Sequence, residues 1–401
     1  MALDLLKPKG MQLKKQNFAW RDLVRNPISK LNDDAFTRVR IILINGLEQD
    51  QNRFLHILGR FNPKLKEATA LLRRRKHHQQ TLVHWLLSSD HSPLETTIAY
   101  EQTAIEVTAA IAQLEPDPYL AQVYRFGLLE DFDHMYRFAA LMDRVEGRDP
   151  NNILQCYTDI LPGRPTIDQH RSPENDLRES YVKEKASVLS KLHALTITAG
   201  EHQTRDFYMT IGPMFSDPLA RQVYAEIASI EEQHVTQYGS LTDPAEGPLE
   251  HWLLREANTV YNYYSCVETE TNTQIKAIWE KLLDCSLGQL AYVIELFKEI
   301  EKRDPSEVLP ENLPKALPYA SQRTFVREVL ANEIDIRTKG TSFVAMNEED
   351  TRSLSYRKIM NHDGAPTEII AQGYAWAPGT ELARNVIVSM ENKRKMGAKG
   401  K

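Results

Sequence analysis

Two segments of the chain carry the same set of acidic residues and histidines. The set comprises Glu101, Asp131 and His134 in the first segment, and Glu201, Glu231 and His234 in the second, one hundred residues later. In each segment the last acid and the histidine are three residues apart, so they share one face of a helix. Carboxylate oxygens and imidazole nitrogens together suit iron or manganese. The six residues therefore predict a site for two metal ions.

The spacing within each segment predicts a helical hairpin. In the second segment the break from Gly212-Pro213 to Asp217-Pro218 lies midway between Glu201 and Glu231, so two antiparallel arms bring both acids to one level. The first segment has Asp117-Pro118 at the matching break. A sequence repeat of this kind indicates one structural unit used twice. Two such hairpins predict a four-helix bundle with the ligands at its centre.

The apolar pattern places both histidines inside the bundle. On the fourth ligand helix His234 follows the helical spacing of Val223, Ile227 and Ile230. Buried carboxylates must be neutralised, paired or bound to metal. Two divalent cations would balance the negative charge of four carboxylates. Ion pairing with Arg125 and Arg205 is a weaker way to neutralise that charge.

The residues beside the ligands have two alternative interpretations. A lone Glu-x-x-His on a helix is usually surface decoration, but two equally spaced copies favour metal binding. Glu130 and Glu232 are interpreted as solvated charges, with a spare carboxylate as the alternative. Three tyrosines lie seven residues from a ligand on the same helix, and each is expected either to hydrogen-bond a ligand carboxylate or to bond the backbone of the core: Tyr124, Tyr208 and Tyr224.

Two further hairpins resemble the ligand hairpins without their ligands. In the first, Lys76 and Gln79 occupy the positions of Glu231 and His234; in the last, Glu256, Ser286 and Gln289 occupy the positions of Glu201, Glu231 and His234. We expect the last hairpin to be a packing layer rather than a second site. The run from Arg73 to His78 is interpreted as a solvated helix face, with a phosphate or RNA contact as the alternative.

The chain divides into four parts on this interpretation. Residues 1–90 form an arm and a hairpin, residues 91–245 the metal-binding bundle, residues 246–303 the last hairpin, and residues 304–401 an irregular extension. The third ligand helix is expected over residues 176–211. Short strands are expected near residues 341–346 and 368–374. The basic segment 392–401 is expected to be a disordered tail.

Composition excludes several classes of protein. Of 401 residues, 42% are hydrophobic and 26% charged, as in ordinary globular proteins. The formal charge of −6 makes nucleic acid an improbable partner. Three scattered cysteines cannot form a disulfide framework or a cysteine zinc site. No signal pattern or membrane-spanning apolar run is evident, so we expect a cytoplasmic protein with no membrane partner.

The segment EHQTRDFYMTIGPMFSDPLARQVYAEIASIEEQHVTQYGSL resembles rubrerythrin and its relatives in the ferritin-like superfamily. The resemblance covers roughly residues 92–243. It implies an all-α protein built on a ferritin-like four-helix bundle, with additional hairpins and an irregular C-terminal extension. It further implies two iron ions held by the six ligands named above. Three features depart from the family: Asp131 replaces a glutamate, no Cys-x-x-Cys pairs follow, and the long flanking segments disfavour a cage.

The resemblance implies an oxidoreductase that activates dioxygen or peroxide at a di-iron or mixed iron–manganese site. One alternative is peroxide disproportionation at two manganese ions. Another is a non-enzymatic scaffold that binds metal or a protein partner. The organic substrate or electron donor is open, and a homodimer is one expectation for the assembly.

Overall fold

The computed structural model describes residues 3–29 and 33–376 and is mostly helical there, with almost no sheet. The tail at residues 392–401 lies outside this range. The helices are α1 (Trp20–Leu23), α2 (Ala35–Phe61), α3 (Lys66–His84), α4 (Pro93–Leu114), α5 (Pro118–Glu146), α6 (Asn151–Leu154), α7 (Val188–Ile211), α8 (Pro218–Gly239), α9 (Pro248–Thr269), α10 (Thr273–Glu301), α11 (Arg323–Glu333), α12 (Thr351–Met360) and α13 (Pro366–Ala371). Two strands, β1 (Ile336–Lys339) and β2 (Ser342–Ala345), form an antiparallel hairpin.

Eight long helices pair as four consecutive hairpins: α2–α3, α4–α5, α7–α8 and α9–α10. The turns follow from local chemistry. Asp117 and Asp217 each accept two backbone N–H bonds at the start of the second helix, and a proline occupies its first position. Ser92 and Glu95 form a capping box at the start of α4. These signals explain why the hairpins were visible in the sequence.

The hairpins assemble into two bundles. The first bundle contains α4, α5, α7 and α8, and the second contains α2, α3, α9 and α10. The first helices of the four hairpins pack against one another and join the bundles. The approach of α2 to α7 is close, because a Cβ atom on Gly46 would lie 2.9 Å from Gln203 Nε2 and 3.0 Å from the carbonyl oxygen of Ala199.

All four hairpins place a chemically important residue at the same height. Glu48, Glu101 and Glu256 each lie thirteen residues before the last residue of their helix. Asp131, Glu231 and Ser286 each lie thirteen residues after the first residue of their helix. The centre of the second bundle is therefore equivalent in position to the centre of the first.

A lysine ammonium group occupies the centre of the second bundle. Lys76 is fully buried, with Nζ 3.0 Å from Glu256 Oε2 and 4.0 Å from Glu48 Oε2. Burial opposes its charge, but Glu256 and Glu48 nevertheless raise the pKa of Lys76 above its usual value. Gln289 donates to Gln79 Oε1 at 2.6 Å, so the positions equivalent to histidines carry paired amides. The interpretation of the whole run from Arg73 to His78 as a solvated face was wrong at Lys76.

The long connection between α5 and α7 is mostly irregular, as its composition predicts. The expectation that the third ligand helix begins near Asp176 was wrong, because α7 begins at Val188 after the N-cap Ser187. The preceding residues bond the end of α8 instead. Arg178 N–H donates to Ser240 Oγ, and Tyr181 N–H donates to the carbonyl oxygen of Leu241. These tertiary bonds hold residues that would otherwise extend the helix.

The segment after α10 is more regular than the expected irregular extension. The strand predicted at residues 341–346 is present as β2. The strand predicted at residues 368–374 was wrong, because Pro366 begins the short helix α13. This helix packs on α5 and α8 of the first bundle. Within the described residues, no helix combines the length and apolar character needed to cross a membrane.

Replacing Lys76 with methionine tests the charge balance of the second bundle. We expect Lys76→Met to lower the free energy of unfolding by about 3–5 kcal/mol, because two buried carboxylates lose their cation. Adding Glu48→Gln and Glu256→Gln should restore part of the loss. Lys66→Met, at an exposed position on the same helix, should change stability by less than about 0.5 kcal/mol. Urea denaturation measures all four proteins, and wild-type stability in Lys76→Met would contradict the expectation.

Candidate metal centre

The six predicted ligands meet at the centre of the first bundle, and all are buried. They form two groups, and the potential ligand atoms of each group lie within 4.8 Å of one another. One group contains Asp131, Glu201, Glu231 and His234, and the other contains Glu101, His134 and Glu231. Glu231 belongs to both. A carboxylate with two oxygens can serve two cations at once, so the arrangement fits a dinuclear centre.

Each histidine turns the same ring nitrogen towards the cluster. Nδ1 of His234 lies 3.2 Å from Asp131 Oδ1, 3.3 Å from Glu231 Oε2 and 3.8 Å from Glu201 Oε2. Nδ1 of His134 lies 3.0 Å from Glu231 Oε1. The two ring centroids are 5.9 Å apart. The two Nδ1 atoms therefore face different oxygens of Glu231, within one centre lined by carboxylates.

The cluster leaves most of its buried acceptor atoms without a hydrogen-bond donor. The buried atoms with no hydrogen-bond partner include Glu101 Oε2, Asp131 Oδ1, Asp131 Oδ2, Glu201 Oε2, Glu231 Oε2 and His234 Nδ1. An unsatisfied buried polar atom costs about 1–3 kcal/mol. Six such atoms, contributed by four helices, would destabilise the folded protein unless another group binds them. The donor set and its missing partners fit two cations.

The Nε2 atoms of both histidines, called here the outer nitrogens, point away from the cluster. They contact residues that the sequence analysis did not identify. His234 Nε2 lies 2.8 Å from Glu130 Oε2, and His134 Nε2 lies 2.7 Å from Gln169 Oε1. Arg171 Nη1 donates to Glu130 at 2.7 Å. With both outer nitrogens donating, each Nδ1 lone pair is free for a metal.

The expectation that Glu130 is a solvated charge was wrong, because it is fully buried beneath Arg171. Burial opposes the charge of Glu130, but Arg171 holds its pKa well below the usual value. Glu232 lies on the outer face and forms an ion pair with Arg205, as expected. The apolar residue Phe126, four positions before Glu130 and so on the same face of α5, was the sequence signal that Glu130 points inward.

The electrostatics of the cluster show an excess of negative charge. Burial raises the pKa of Glu101 and of Glu201 well above the usual value, and it also raises the pKa of Asp131. Burial opposes charge on His134, but the contact with Glu231 raises the pKa of His134 to about 9. The cluster therefore retains protons that bound cations would displace.

One of the three predicted tyrosines contacts a ligand. Tyr208 donates to Glu101 Oε1 at 2.5 Å. Burial and the nearby carboxylate of Glu101 raise the pKa of Tyr208 well above its usual value, so it remains a donor. Tyr224 instead pairs with Thr97 at 2.6 Å, and the Tyr124 hydroxyl is buried without a hydrogen-bond partner. Tyr238, which was not predicted, lies with its ring 6.0 Å from that of His234.

Comparison of the chain with protein-family models, with curated proteins and with solved structures gives no match in any of the three. The chemical interpretation of the centre therefore depends on the residues of this chain.

The shared position of Glu231 leads to a test of the two groups. We expect the wild-type protein to bind about two ions per chain and Glu231→Gln to bind none, because both groups lose a ligand. His134→Ala and His234→Ala should each lose one ion, from different groups. Glu232→Gln, one residue away and exposed, is the matched control and should bind as the wild type does. Elemental analysis after dialysis measures the result, and two ions retained by Glu231→Gln would contradict it.

The hydrogen bond from Tyr208 provides a second test. Tyr208→Phe should weaken metal binding by about 10–100-fold, since a ligand carboxylate loses the donor that orients it. Tyr224→Phe removes a buried hydroxyl of the same kind that bonds Thr97, and it should leave metal affinity unchanged. Competition with a coloured chelator measures both affinities. Equal weakening in the two variants would assign the effect to packing.

Proposed function

We propose that this chain is a ferritin-like di-iron or mixed iron–manganese protein, similar in its metal-binding bundle to rubrerythrin, and that it is an oxidoreductase activating dioxygen or peroxide. The observation that carries the proposal is the convergence of four carboxylates and two histidines, six of whose buried atoms have no hydrogen-bond partner among the described residues. Two antiparallel hairpins with a Glu on each first helix and an acid-x-x-His on each second helix support the same assignment.

The proposed roles follow from the contacts. Glu231 would be shared between two metal ions, with His234, Asp131 and Glu201 on one side, and His134 and Glu101 on the other. When bound, the metals would supply the two electrons that, with two protons, reduce dioxygen to peroxide or peroxide to two molecules of water.

The protein's own part is to bind, orient and exclude water. Gln169 and Glu130 fix the histidine rings through their outer nitrogens. Tyr208 holds the carboxylate of Glu101 in place. The burial of every ligand keeps bulk water from the reacting centre. Asp131 is one methylene shorter than glutamate, so its carboxylate reaches less far from α5 and leaves more room on that side of the centre.

A second candidate function is peroxide disproportionation at two manganese ions. One observation favours it: four of the six candidate ligands are carboxylates, which are ligands that suit manganese. Disproportionation requires no outside donor, because one peroxide is oxidised while another is reduced. A non-enzymatic metal-binding scaffold is the remaining alternative, and it predicts no reaction with either oxidant.

The reaction with oxidants distinguishes these functions. Protein loaded anaerobically with ferrous iron is mixed with dioxygen or with peroxide, and its absorbance is followed in time. We expect a change in colour with about two electrons consumed per chain and no iron mineral formed. Oxygen release by the manganese-loaded protein would favour disproportionation instead. Glu231→Gln is the negative control, and no reaction under any loading would contradict both catalytic proposals.

A further inference from the structure

A small cavity lies where α2, α4 and α7 meet, at the level of the metal centre. Its volume is about 20 Å³, which is enough for one molecule of about the size of water and too little for an organic substrate. Glu201 lines it and is one of the six metal-ligand candidates. The Oε2 atom of Glu201 is buried and has no hydrogen-bond partner. The cavity therefore borders the centre directly.

The outer end of the cavity is marked by its two smallest lining residues. Among the residues that line it, only Ala104 and Gly200 are partly exposed, whereas the others are buried. Ala104 lies one turn after Glu101 on α4, and Gly200 immediately precedes Glu201 on α7. These two positions, one on α4 and one on α7, are therefore where the cavity comes nearest to the protein surface.

Helix packing does not require glycine at position 200. A Cβ atom there would have no neighbouring heavy atom within 4 Å. At Gly46, by contrast, an added Cβ would meet Gln203 on the adjacent helix. Alanine stabilises the interior of a helix more than glycine does. Gly200 lies inside α7 beside open space at the outer end of the cavity, and it places no side chain in that space.

The described residues of the cavity wall are uncharged apart from Glu201, and three of the four threonine hydroxyl groups are already bonded. Thr103 donates to the carbonyl oxygen of Ala99 at 2.9 Å, and Thr204 donates to that of Gly200 at 3.0 Å. Thr196 donates to Asn258 at 2.9 Å. Apart from Glu201, no charged residue lines the cavity. Such a wall suits a small uncharged molecule and offers nothing to a metal cation in transit.

We propose that this cavity is the passage by which a small neutral oxidant, dioxygen or hydrogen peroxide, reaches the ligand cluster, and that Gly200 keeps the passage open. The inference rests on the proposed function and narrows it. A passage of this size admits the oxidant alone, so an electron donor or organic partner must act on the centre from another side.

Uptake of dioxygen by crystals of the metal-free protein tests the passage without reference to activity. Crystals of the wild-type protein, Gly200→Val and Gly239→Ala are prepared without metal and briefly pressurised with dioxygen, and its electron density is sought in the cavity. We expect dioxygen beside Glu201 in the wild type and in Gly239→Ala, and none there in Gly200→Val. Gly239, the last residue of α8, has equally open space around it and is the matched control. Dioxygen in Gly200→Val, or none in the wild type, would overturn the inference.

Oxidation kinetics provide the second measurement. Gly200→Val and Ala104→Val should keep the wild-type metal content and slow oxidation of the ferrous protein by about tenfold or more. Gly200→Ala should raise the melting temperature by roughly 1–2 °C and leave the oxidation rate close to that of the wild type, because it adds helix stability and its methyl group meets no neighbouring atom. Unchanged rates in both valine variants would overturn the passage and leave the proposed function standing. A wild-type protein that binds metal without reacting would overturn the proposed function, and dioxygen density in the crystals would still decide whether the passage exists.

Discussion

Negative charge buried at the middle of each bundle is the constraint on which this structure depends. A carboxylate taken out of water needs a cation or a proton. In the second bundle the chain supplies the cation itself, since the Lys76 ammonium group lies between Glu48 and Glu256. In the first bundle Arg171 forms an ion pair with Glu130, a carboxylate outside the ligand cluster. Only two histidines face the four carboxylates inside the cluster. The chain solves this problem internally in the second bundle, and in the first bundle the proposed solution is a pair of bound cations.

The long connection between α5 and α7 explains how the metal centre is held in place. The connection spans residues 147–187, between the end of α5 and the start of α7. It supplies Gln169, which orients His134, and Arg171, which neutralises the carboxylate that orients His234. An irregular segment is suited to this task, because it can approach both histidines from outside the helices. The geometry of the ligands therefore depends on residues far from them in sequence.

The six candidate ligands were predictable because a repeat, a proline break and helical spacing each act locally. The cap at Ser92 and the starts of α5 and α8 followed from the same local signals. The start of α7 was not predictable, because tertiary bonds to the end of α8 hold Arg178 and Tyr181 outside the helix. The ion pair between Glu130 and Arg171 was not predictable for a similar reason. Arg171 lies in the connection between α5 and α7 and reaches Glu130 only in the folded structure. Pro366 was a helix-start signal that the mixed composition around it obscured.

The placement of four equivalent hairpins on a single polypeptide has a consequence for how the molecule could diverge. In an assembly of identical subunits, one codon change appears in every copy, so symmetry-related positions must keep the same amino acid. Here each hairpin has its own coding sequence, so the residues at equivalent positions can differ. These residues are Asp131, Glu231, Ser286 and Lys76. One half of the molecule could thus lose its acids and histidines without loss from the other. Because all four hairpins belong to one polypeptide, the difference between the two halves is inherited together.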